Sequence, residues 1–95
     1  MSTTSPQQEA EAHRITTWLL DYLAEATGLP RDKMDADAPF EGFGIDSYQG
    51  VLMSCALEEW LGRPMDLSES FLHPTPRSFA EHLAAQIQAE ARFAA

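Results

Sequence analysis

The sequence predicts an all-α domain: a four-helix bundle with a long ordered loop between helices 1 and 2 and a short helix 3. Three observations carry this. Apolar residues recur at helical spacing, start and stop signals bracket each periodic stretch, and no stretch alternates with period two. At 95 residues the chain can build one core, but it is too small to enclose a conventional active-site cleft. A single domain is expected over residues 6–92, with a disordered N-terminus over residues 1–5.

The first helix opens where Ser5 can cap, Pro6 suits the first turn and Gln8 stands at the capping-box position. Its apolar positions are Ile15, Trp18, Leu19, Tyr22, Leu23 and Ala26, one buried stripe, and Gly28 supplies the stop. The stretch from Gly28 to Asp46 is long for a structureless loop in so small a domain. It carries its own anchors in Leu29, Met34, Phe40, Phe43 and Ile45, with Pro30, Pro39, Gly42 and Gly44 to fix or permit turns. An ordered loop is expected, with a short helical turn around Asp32 to Asp35.

A second helix is expected from Ser47 to Leu61, capped by Asp46 and ended by Gly62 and Pro64. Asp66-Leu67-Ser68-Glu69 has the form of a capping box for a short third helix through Phe71 and Leu72, which Pro74 terminates. Thr75-Pro76 opens the last helix, whose buried stripe is Phe79, Leu83 and Ile87, with Ala80 and Ala84 alongside.

Composition narrows the function. With 15 acidic against 6 basic residues the net charge is -9, which repels nucleic acid and anionic lipid and suits partners with basic docking patches. The apolar fraction of 44% contains no run near the ~20 residues a membrane span needs, and Met1 to Ala12 is not a signal peptide. Neither nucleic acid nor membrane is expected as a partner. The single cysteine, Cys55, can form no internal disulfide, which fits a reducing, cytoplasmic compartment.

The run Phe43-Gly44-Ile45-Asp46-Ser47-Tyr48 places a serine at a helix start just after the long loop. Unpaired N–H groups and the positive dipole end there favour an anion, so Ser47 reads as a site for esterification by a phosphate-bearing group. The helix below it has two apolar rows. Gly50, Met53, Ser54, Leu57 and Leu61 form one, and Tyr48, Val51, Leu52, Cys55 and Glu59 the other. The first is assigned to the core, with Gly50 allowing close packing. The second is either covered by the loop or exposed as a docking face, and the serine at its head favours exposure: an apolar strip of Tyr48, Val51, Leu52 and Cys55 rimmed by Glu58 and Glu59.

From Ile15 to Leu83 the chain resembles the acyl carrier protein family, the phosphopantetheine-binding four-helix domains of fatty-acid, polyketide and nonribosomal peptide synthesis. Gly44-Ile45-Asp46-Ser47-Tyr48 is similar to the family's Gly-x-Asp-Ser-Leu attachment motif, and Leu57-Glu58-Glu59, Gly62, Pro74-Thr75-Pro76 and Ala80-Glu81-His82-Leu83 follow at family-like spacing. The resemblance implies that a phosphopantetheinyl transferase attaches 4'-phosphopantetheine from coenzyme A to Ser47, with Asp46 helping to present it. The arm then carries an acyl or aminoacyl group as a thioester among a loading enzyme, a ketosynthase or an acyltransferase. Cys55, about two turns into the helix, is not the cargo thiol.

Tyr48 stands where the family usually has leucine, and Leu52 where bacterial fatty-acid carriers often have an acid. With a Phe71-Leu72-His73-Pro74-Thr75 segment like that of polyketide assembly lines, the resemblance points to a discrete, monomeric carrier of polyketide type. A peptidyl or aminoacyl carrier and an unmodified helical adaptor are the alternatives. An enzyme with Ser47 as nucleophile and His13, His73 or His82 as base is disfavoured, because no strand-turn-helix elbow is present, and no metal-ligand constellation is seen.

Overall fold

A computed structural model describes residues 5–65 and 72–94, with side chains through residue 91. Among the described residues the regular structure is all helical: α1 (Pro6–Thr27), α2 (Ser47–Leu61) and α3 (Pro76–Ala94), with 3₁₀ turns at Arg31–Lys33 and Phe40–Phe43 between α1 and α2. The expected short helix from Asp66 onward lies outside the described residues except for Leu72, whose side chain is exposed.

α1 begins as its sequence requires, the Ser5 hydroxyl accepting the Gln8 N–H at 3.1 Å, and ends at Gly28, whose φ of 74° lets its N–H reach the Ala24 carbonyl. Ile15, Leu19 and Leu23 are buried as the stripe predicts, and Leu20 joins them. The buried face is wider than one seam because α3 packs along α1. Ala26 and Leu29, expected inside, are exposed. Gly28 through Lys33 are all exposed, so Leu29 finds no partner surface, and Ala26 lies on the exposed side of the last turn of α1.

The loop is ordered by attachments at both levels. Ala36 and Phe43 are buried, and Met34, Phe40 and Ile45 pack against the core. Its backbone is tied to the head of α3: the Phe40 N–H donates to the Pro74 carbonyl (2.8 Å) and the Arg77 N–H to the Ala36 carbonyl (2.9 Å), while Arg77 Nε pairs with Asp37 at 2.7 Å. One helical turn falls a residue before the expected position. The second was not anticipated: Pro39 fixes its entry, and Gly44 at φ 80° closes it onto the Glu41 carbonyl.

α3 opens on a reciprocal cap between Thr75 and Ser78, with the Ser78 N–H donating to Thr75 Oγ1 (3.0 Å) and the Thr75 N–H to Ser78 Oγ (3.1 Å). Phe79, Ala80, Leu83 and Ala84 are fully buried and Ile87 packs beside them. Each of the larger side chains contributes roughly 1.5–3 kcal/mol on burial. Phe79 meets Phe40 edge to face at 6.1 Å, joining loop and helix in one core.

α2 contributes Met53, Ser54 and Leu57 to the interior. A further contact runs along its edge, where Trp60 stacks on Trp18 (5.3 Å) and Trp18 on Tyr22 (5.4 Å), with the Arg14 guanidinium 4.5 Å over the Trp60 ring. Trp60 belongs to neither predicted row, and it is the residue that clamps α2 to α1.

Candidate functional site

The head of α2 is fixed by its own side chains. Asp46 is extended (φ -94°, ψ -178°), its carboxylate accepts the Gln49 N–H at 2.8 Å, and Gln49 Oε1 accepts the Asp46 N–H at 3.2 Å. Because the Gly50 N–H also donates to the Asp46 carbonyl, Ser47 and Tyr48 retain the free first-turn N–H groups. Ser47 occupies the first helical position and is exposed, delivered there by the left-handed turn at Gly44.

Ser47 borders both an exposed strip and a groove, which share Val51. The strip is the expected one: Tyr48 is 70% exposed, Val51 39% and Leu52 44%, and Cys55 and Glu59 are exposed as well. The loop does not cover this row. Glu58, expected on the rim, is half-buried, and its carboxylate accepts the Met65 N–H at 2.8 Å, which ties down the chain leaving α2.

Beside Ser47 a groove of about 400 Å³ opens, which sequence reasoning missed, and Val51 of the strip lines it as well. Phe40, Glu41, Ile45, Asp46 and Pro74 line it together with Gly50, Val51, Met53 and Ser54 of α2. Gly50 does not serve close packing as expected: a Cβ there would meet no atom within 4 Å. The signal in the sequence was Ser54, a polar residue in the buried row and two helical turns after Ser47.

The histidines are placed apart from Ser47. His73 and His82 stack on each other at 4.0 Å, and His13 lines a separate polar cleft with Gln8, Thr16, Arg77 and Glu81. Among the described residues no group of three His, Cys, Asp or Glu could hold a metal ion, and no helix is long and apolar enough to cross a membrane.

A family model described as a phosphopantetheine attachment site matches residues 17–83. The chain is 37% identical over 68 residues to a phenolphthiocerol/phthiocerol polyketide synthase of Mycobacterium tuberculosis, an alignment covering 72% of the chain and 4% of that protein's length. It is 35% identical over 51 residues to the acyl carrier protein TtuC of Teredinibacter turnerae, covering 54% of the chain and 59% of TtuC. In three dimensions it is similar to an acyl carrier protein of Anabaena with a variant phosphopantetheinylation-site sequence, at a TM-score of 0.75 and 27% identity, covering 90% of this chain and 94% of that one. The geometry fits such a group: Ser47 is exposed, its helix start offers free N–H donors to a phosphate, and open space lies beside it.

Proposed function

The chain belongs to the phosphopantetheine attachment-site family, and from that premise we propose that Ser47 bears the arm. The protein is a carrier rather than a catalyst, and the group it binds covalently is 4'-phosphopantetheine. When bound, that group supplies a terminal thiol that holds an acyl or aminoacyl group as a thioester. The chain's own residues do the rest. Ser47 offers its hydroxyl at the head of α2, the Asp46–Gln49 pair holds that head rigid, and the α2 dipole with the Ser47 and Tyr48 N–H groups favours the phosphodiester's charge.

The strip of Tyr48, Val51, Leu52 and Cys55, with Glu59 and the partly engaged Glu58 at its rim, is the face on which partner enzymes dock. These partners are a phosphopantetheinyl transferase, a loading enzyme, and a ketosynthase or acyltransferase. A polyketide pathway is the reading supported by the similarity to the mycobacterial synthase. The same reading takes in a four-helix bundle whose short third helix starts at the Asp66-to-Glu69 pattern, a single domain over 6–92, a monomeric state, and the cytoplasm, where the exposed Cys55 stays reduced.

The observation that carries the reading is the exposed Ser47 at the first position of a capped helix. Incubation with a promiscuous phosphopantetheinyl transferase and coenzyme A, followed by intact mass measurement, tests it. A gain of one phosphopantetheinyl unit is expected for the wild type and none for Ser47→Ala. No gain in the wild type, or the same gain in the variant, sinks the assignment.

A further inference from the structure

Trp60, Trp18 and Tyr22 stack in one ladder across the α1–α2 edge, with the Arg14 guanidinium 4.5 Å over the Trp60 ring. Trp, Tyr and Arg are the residue types that carry most of the energy at protein–protein interfaces. Here they keep accessible surface: Trp60 is 38% exposed, Arg14 is exposed, and Trp18 and Tyr22 are half-buried. Stacking already restricts their side chains, so a partner that meets them loses little further rotamer freedom.

The ladder is the far end of a ridge that begins beside Ser47. Tyr48, Leu52, Ala56 and Trp60 follow one another at four-residue intervals, each turned by about 40° from the last, so the row winds round α2 towards α1 over about 18 Å. Its rim is acidic. Glu59 stands one line down α2 from Leu52, and Glu25 one line down α1 from Trp18. Both are exposed, and neither makes an ion pair among the described residues. The charge of Arg14, by contrast, is met by Glu11 at 2.6 Å.

We propose that this aromatic ladder anchors the phosphopantetheinyl transferase, which receives it in an apolar pocket rimmed by lysine or arginine. The proposal rests on the carrier reading and extends the contact beyond the strip near Ser47. A transferase meets the protein before any arm is attached, so all of its affinity comes from the protein surface, whereas later partners also grip the arm. A standard interface covers about 800 Å² on each partner, a patch roughly 30 Å across, which is wide enough to take in both Ser47 and Trp60. Charge selects the same chemistry: the unpaired carboxylates of Glu25 and Glu59 favour a basic rim and speed the encounter. A second copy of the chain is the wrong occupant, since it would bring a net charge of -9 against -9.

Titration calorimetry of a promiscuous phosphopantetheinyl transferase with the Ser47→Ala protein reads docking without modification. Adding Trp60→Ala should weaken Kd roughly tenfold, the scale of losing an aromatic anchor. Adding Glu25→Lys should weaken it roughly three- to fivefold at low salt and less at high salt. Because Glu25 is exposed, this variant reports docking whether or not Trp60→Ala loosens the α1–α2 edge, and circular dichroism checks the fold of both. Glu9→Lys is the control. It makes the same charge change nine residues before Trp18, on the opposite side of α1, and should leave Kd within about twofold. The proposal is overturned if Glu25→Lys leaves Kd unchanged, if Glu9→Lys weakens binding as much as Glu25→Lys does, or if the Ser47→Ala protein does not bind at all. Absence of a mass gain on the wild type strikes Ser47 as the attachment residue and leaves the docking measurement standing, so the two failures are told apart.

Discussion

Asp46 and Gln49 exchange hydrogen bonds across the first turn of α2, at 2.8 and 3.2 Å, so the residue preceding Ser47 is also the one that starts its helix. Replacing Asp46 by alanine removes the cap and should cost about 0.5–2 kcal/mol. Asp46→Asn keeps an acceptor for the Gln49 N–H and should hold stability to within a few tenths of a kcal/mol. Urea denaturation of the two variants checks this. If the carboxylate also presents Ser47 to the transferase, Asp46→Asn should load several-fold more slowly while remaining as stable as the wild type. Loading at the wild-type rate would show that Asp46 acts only as a cap.

Leu52 tests the docking strip. It is 44% exposed, so Leu52→Glu should leave helicity by circular dichroism intact and change stability by no more than about 0.5 kcal/mol. Transfer of cargo by the cognate loading enzyme should fall roughly fivefold or more, the scale of losing an apolar anchor at the centre of an interface. Unchanged transfer kinetics would remove Leu52 from the docking face.

The helices at this site were legible because their punctuation is local. Asp46, Gly62, Thr75 and Pro76 act within one turn of themselves, and periodicity separates the buried row of α2 from its exposed one. What stayed hidden depends on contacts far apart in sequence. Trp60 finds Trp18 across the bundle, and Ala36 is buried because Arg77 binds its carbonyl. The groove arises only where the loop meets α2 and Pro74. A glycine in a buried row reads as close packing, and only the distance to surrounding atoms reveals that Gly50 guards a space instead.

Gly50 and Gly62 should therefore respond to alanine with opposite signs. Gly50 has helical backbone and free room for a Cβ, so Gly50→Ala should stabilise by about 0.5–1 kcal/mol through helix propensity and reduced unfolded-state freedom. Gly62 sits at φ 71° as the C-cap, and Gly62→Ala should destabilise by roughly 1–2 kcal/mol. Thermal melts compared side by side decide the matter, and a destabilised Gly50→Ala would mean that the glycine does pack closely.

Trp18 and Trp60 stack across the α1–α2 junction, with Arg14 above Trp60. Trp60 is 38% exposed, so its truncation loses less than a fully buried ring would. Trp60→Ala should cost about 2 kcal/mol, and Trp60→Phe less than that. Arg14 also pairs with Glu11 at 2.6 Å, an exposed contact within one helix turn that contributes only a few tenths of a kcal/mol. Stability loss in Arg14→Ala alone therefore mixes two sources. A double-mutant cycle of Arg14→Ala with Trp60→Ala separates them, since the Glu11 contact is removed equally on both sides of the cycle. A coupling of about 0.5–1 kcal/mol is expected for the guanidinium over the indole. Coupling near zero would assign the whole effect of Arg14 to Glu11 and leave α2 held to α1 by ring stacking and apolar burial.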